Sequence, residues 1–149
     1  MANIIPDSFK SELLAGTHDF KYGTSTQTFR DALYTSISSY STASTVYLAG
    51  TGNGEVDSSG TGYPTGGQEL ALDALSGSDV GSNTSIVDFT NETFTSVTLT
   101  AVGAAIYNES KSNKLVLVID FGGSKSATSG DFTIQWPSPT ASDAIIRLG

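Results

Sequence analysis

Cysteine is absent from this 149-residue chain, and histidine occurs once, at His18. The first absence excludes a disulfide framework, a zinc–thiolate site, an iron–sulfur cluster and a thiol nucleophile. The second excludes a multi-histidine metal site within one chain. Basic residues are few: seven Lys and Arg stand against fifteen Asp and Glu, a formal charge of -8. None lies between Asp31 and Ser110, a block that holds nine acids. A surface of that sign repels nucleic acid phosphates. Long apolar runs are also missing. The longest, Leu115–Ile119, is far short of the roughly 20 residues that span a bilayer. The opening residues Met1–Asp7 lack the basic and apolar regions of a signal peptide, so a soluble chain made in the cytoplasm is expected, with no membrane partner.

Charged residues make up only 15% of the chain, against roughly 25% in an average soluble domain. Helix formers such as Lys, Glu, Gln, Arg and Met are scarce. What replaces them is hydroxyl: 22 Ser and 19 Thr. Threonine favours strands, and Gly, Ser and Asn favour turns. Strand-length runs recur at 28–35, 45–49, 68–73, 85–89, 94–102, 104–108, 114–121, 131–136 and 144–148. Turn residues separate them, notably Asn108–Asn113, Gly122-Gly123 and Ser129-Gly130. The expected fold class is all-β: a jelly-roll-like antiparallel β-sandwich with a short N-terminal helix. The length suits one core, so residues 1–149 read as a single β-sandwich domain. Residues 1–20 form its helix and arm, and 50–67 a glycine-rich loop that is either mobile or ordered by a partner.

The helix is expected over Phe9–Ala15, capped by Asp7 or Ser8 and closed by Gly16. Its Phe9 and Leu13 share a face that docks on the body or on a neighbouring subunit. The unbroken run Leu115–Ile119 predicts a strand buried on both faces, covered by a subunit interface, the helix or a long loop. Tyr40, Tyr47 and Tyr63 fall in polar surroundings and are candidates for a contact surface. The C-terminal apolar strand with Ile145 and Ile146 can pair along a free sheet edge.

Motifs for chemistry are thin. Glu55 and Asp57 could ligate calcium, but no EF-hand spacing is present. His18-Asp19 lacks a nucleophile elbow of the G-x-S-x-G type. Asp120-Phe121-Gly122 stands without the rest of a kinase signature, and the glycines from Gly50 lack the lysine of a phosphate loop. The sequons at Asn83, Asn91 and Asn108 follow from the Ser/Thr content. No catalytic residue and no cofactor is expected.

Several segments together carry a resemblance: Ser8–Phe20, Thr28–Thr35, Gly60-Thr61-Gly62-Tyr63 with Gly66-Gly67, Ala105–Lys114, Asp120–Gly123 and Gly130–Thr133. Over nearly the whole chain this pattern resembles a family of small structural proteins of tailed bacteriophages. The resemblance implies a virion component, above all a capsid decoration (cement) protein. Such a protein sits as a homotrimer on the capsid exterior and bridges subunits of the major capsid protein. It implies no enzyme activity. Two other roles remain open at this point: a tail, neck or fibre-adaptor protein, and a carbohydrate-binding β-sandwich using the exposed tyrosines.

Overall fold

The computed structural model describes residues 2–149. One helix, α1 (Asp7–Leu14), precedes seven strands. These are β1 (Phe29–Tyr34), β2 (Gln68–Leu70), β3 (Ser78–Asp79), β4 (Ser85–Val87), β5 (Glu92–Asn108), β6 (Lys114–Ile134) and β7 (Ile146–Leu148). They form two antiparallel sheets, a large one in the order β2-β1-β5-β6 and a small one in the order β3-β4-β7. The chain is therefore all-β with a short N-terminal helix, as its composition implies.

The helix departs from expectation at its start. Pro6 is the N-cap, in an extended conformation and without a side-chain cap. Asp7 instead accepts a bond from Lys10, and Ser8 reaches the Ser44 carbonyl. The C-terminus closes as expected. Gly16 takes a φ of 70° while its N–H bonds Leu13 and that of Thr17 bonds Glu12, so two orphan carbonyls are satisfied. Phe9 is buried, Leu13 packs partly against the core and Leu14 lies in solvent.

The long hairpin of β5 and β6 is the backbone of the large sheet. Four of the expected strands are halves of these two. Gly122-Gly123 is not a turn between strands but a bulge inside β6: Gly103 faces Asp120, whereas Ala101 faces Lys125. A second irregularity opposes Val97 to Gly130 and Leu99 to Ala127, where Ser129 takes a φ of 47°. Glycine and serine supply positive φ, so the strand bends without ending.

Two apolar clusters flank the large sheet. The main core lies between the sheets and holds Phe29, Leu33, Phe94, Val97, Leu99, Ile106, Val116 and Trp136. A chain of rings crosses it: Phe9 to Phe20, Phe20 stacked on Phe29 at 4.6 Å, Phe29 to Phe89 and Phe89 to Trp136. The second cluster covers the opposite face. There Ala32, Tyr34, Ala105, Tyr107, Leu115 and Val118 meet Ile37, Tyr40, Tyr47 and Leu48 from the segment after β1, and Ile4 from the N-terminal arm. Ile4 and Val118 exchange two backbone bonds, and Val46 bridges Lys114. The chain itself therefore covers the second face of the Leu115–Val118 run. The segment 45–49, expected as a strand, contributes only that one bridge.

Candidate functional site

The glycine-rich loop 50–67 is ordered from within. Its centre is Glu55, 2% exposed and, among the described residues, without a basic partner within salt-bridge range. Four donors converge on its two oxygens. Oε2 accepts from the Tyr47 hydroxyl at 2.7 Å and the Gly50 N–H at 2.6 Å. Oε1 accepts from the Tyr63 hydroxyl at 3.1 Å and the Gly66 N–H at 2.7 Å. One carboxylate thus ties the first turn of the loop to its last. Bonds of this kind to an ionised acceptor are the strong ones. A donor set pointing at the carboxylate also repels a cation, so Glu55 is not the calcium ligand its spacing from Asp57 suggested. Asp57 spends an oxygen on the Ser59 N–H. Among the described residues no three acidic or histidine side chains gather to hold a metal.

Tyrosines surround this carboxylate. Tyr47 stacks on Tyr107 with ring centroids 4.4 Å apart, and the Tyr107 hydroxyl donates to the Gly66 carbonyl. Tyr63 also accepts the Leu33 N–H. Next to them, the Tyr34 hydroxyl donates to the Leu48 carbonyl and the Leu48 N–H donates to Tyr40, whose own proton is left for Tyr34. Burial is the first cause that pushes these phenols up, to about 12 for Tyr40 and Tyr107 and further for Tyr34, Tyr47 and Tyr63. They act as neutral hydrogen-bonding rings at any ordinary pH.

The candidate contact residues divide accordingly. Phe9, Tyr40, Tyr63 and Ile146 are buried inside the chain. Their side chains present no outward surface to a partner or a sugar. Leu13, Tyr47 and Ile145 are half-buried, and Leu13 and Ile145 pack against the main core. Ile146 sits in β7 against β4, so the C-terminal strand finds its edge within its own chain.

His18 is a clamp between the helix and the sheet. Its Nε2 lies 3.0 Å from Glu12 and its Nδ1 3.0 Å from the Asn108 amide nitrogen. Gln27 fixes the tautomer. Its own amide nitrogen donates to the Thr17 carbonyl, so its Oε1 accepts from Asn108, and the Asn108 nitrogen is then a donor to both Gln27 and His18. The imidazole is neutral with its proton on Nε2. Burial lowers its pKa, outweighing Glu12. Glu12 is itself raised by burial, but bonds from Lys114 and His18 outweigh that and leave it low. Neither ring nitrogen of His18 meets a serine hydroxyl.

The large sheet outruns its cover. β5 and β6 span 17 and 21 residues, whereas the opposing strands span two or three. Along β6 lies an open groove of about 650 Å³. Ile5, Ile119, Phe121, Trp136 and Ile145 give it an apolar lining, with Lys125 and Asp131 also on its wall. β6 is the edge strand of its sheet; its outer side meets the segment around Val46 at Lys114 and the N-terminal arm at Val118, and among the described residues no strand pairs with it past Val118. Pattern reading could not find this groove, because its wall joins the N-terminal arm, both halves of β6 and Ile145, which lie far apart in sequence.

No family model matches the chain, and no curated protein or solved structure matches it. Among the described residues no helix is long and apolar enough to cross a membrane.

Proposed function

We propose that the chain is a capsid decoration (cement) protein, a structural virion component that bridges major capsid protein subunits on the outside of a phage head as a homotrimer. The sequence resemblance supplies the virion. The observation that carries the reading is the uncovered apolar groove along β6. A cement protein works by burying further surface across subunit boundaries, and many weak contacts add up over a shell. The groove offers such surface, next to an unpaired edge that can take an extended segment of a neighbour. The deeply buried polar clusters around Glu55 and His18 tie the chain's own segments to one another. The -8 charge keeps the molecule away from packaged nucleic acid and suits the outer side of a shell.

The test is attachment. Purified chain added to particles stripped of it should bind and raise their resistance to heat. Ile119→Asp, which places a charge in the groove at a half-buried position, should keep the fold and lose attachment. Attachment unchanged by Ile119→Asp and by Phe121→Asp would remove the groove from the account. A shell that cannot assemble without the chain would contradict a decorating role.

A further inference from the structure

Two acidic side chains occupy the main core with no base to neutralise them. Asp31 alternates with Phe29 and Leu33 on the inward face of β1 and is fully buried. Glu92, the first residue of β5, is 8% exposed. Gln68, the sheet partner of Asp31, donates to the Thr93 carbonyl beside Glu92, so the two carboxyls are neighbours in one part of the core and each shifts the other's pKa. No fixed N–H or O–H donor meets any of their four oxygens with hydrogen-bond geometry.

Two ionised carboxylates in that position would repel each other and would both be stripped of water. Burying an unpaired charge costs more than keeping a proton, so such a group neutralises instead. One proton suffices, because a protonated carboxyl becomes a donor to the other. We propose that Asp31 and Glu92 share a proton in the folded chain, and that this proton is a latch fastening β1 to the head of β5.

The latch reaches the loop. Gly67 lies so close to the backbone of Asp31 that an added Cβ would sit 1.5 Å from its carbonyl oxygen. Gln68 pairs with Asp31 in the sheet and its amide donates to the Thr93 carbonyl beside Glu92. Loss of the proton leaves two charges, one of which must turn to water. The β1–β5 contact then loosens, and β2 and the end of the 50–67 loop move with it.

The surrounding charges do not substitute for the proton. On β1, Arg30 faces the other side of the sheet, where it donates to the Gly66 and Gly67 carbonyls. From β2, Glu69 shares that outer face and is exposed. From β6, Asp131 is exposed and accepts the Ser96 N–H. From the opposing sheet, Asp88 is buried and accepts the Phe89 N–H, and β7 carries the exposed Arg147. Burial raises both carboxyls, Asp31 well above the carboxylate range. Glu92 raises Asp31 further, and Arg30 opposes both shifts.

The sign follows. Between the ordinary carboxyl pKa, about 4, and the raised folded value, the native chain holds more protons than the unfolded one. Stability from the latch is complete below about 4 and falls as pH rises through the folded range. Asp88, also raised, adds a smaller slope of the same sign.

Thermal unfolding of the full chain from about pH 4 to about pH 8 should show a falling Tm. Asp31→Asn supplies a permanent donor to Glu92, so it should flatten that slope and raise Tm at neutral pH. Glu92→Gln is the second variant should the first not fold. Carbon-13 titration of the wild-type side-chain carboxyls needs no variant. It should show at least one of the two still protonated well above the ordinary range. Both groups titrating near 4, or a slope left unchanged by the variants, would overturn the proposal.

Discussion

Glu55 holds its loop because four donors meet its two oxygens. Residues this far apart in sequence, Tyr47, Gly50, Tyr63 and Gly66, have no linear spacing that announces the arrangement. The composition of the 50–67 stretch points to mobility, and a single acid reverses it. Tyr40, Tyr47 and Tyr63 mislead for the same reason. Their neighbours in sequence are polar, but in space their rings meet Tyr34, Tyr107 and Phe94, and Tyr47 and Tyr63 also reach the Glu55 carboxylate. Glu55→Gln puts an amide nitrogen where an acceptor is needed and leaves at least one buried donor facing it. The expected cost is about 2–4 kcal/mol, since bonds to a charged group count for more than neutral ones and an orphaned donor adds its own penalty. Chemical denaturation measures the loss, and amide exchange should speed up at Gly50 and Gly66 ahead of the sheet. An unchanged midpoint would show that the loop is held by something else.

At the scale of elements, the strands were legible where one face alone is buried. The alternation of Val97, Leu99 and Ala101 with Thr98 and Thr100 survives directly as the burial pattern of β5. The continuous run at Leu115 is equally plain as a strand covered twice. Its cover was not legible, because residues 35–48 form almost no regular structure and still supply Ile37, Tyr40, Tyr47 and Leu48 to the second cluster. Strand ends were the weakest inference. Glycine pairs and Ser-Gly read as turns, yet within a long hairpin the same residues make bulges, and neighbouring pairing carries the strand through them. Gly103 and Gly122 separate the two uses of glycine. A Cβ at Gly103 would lie 2.4 Å from the Ile119 carbonyl oxygen, whereas at Gly122, with a φ of 72°, it meets nothing. Gly103→Ala should therefore cost at least about 3 kcal/mol by forcing β5 from β6. Gly122→Ala should cost only the strain of a left-handed backbone, about 1–2 kcal/mol. Equal losses in paired unfolding curves would contradict the assigned contact.

As a whole molecule, the chain uses its buried polar groups for internal fastening and leaves an apolar groove open along β6. Its class was legible from hydroxyl content and strand periodicity, because those properties are summed over many residues. The groove was not, because its wall is assembled from the N-terminal arm, β6 and Ile145, which are distant in sequence. The function proposed for the molecule rests on that groove: attachment to a neighbouring protein surface, repeated over a shell. A head-decorating role and a tail or neck role differ most in number. The decisive measurement is the copy number of this chain in purified particles, counted by quantitative mass spectrometry against the major shell protein. The account predicts a copy number comparable to that of the shell protein. A count of only tens of copies or fewer, or a chain that stays a monomer and never sediments with particles, would contradict it.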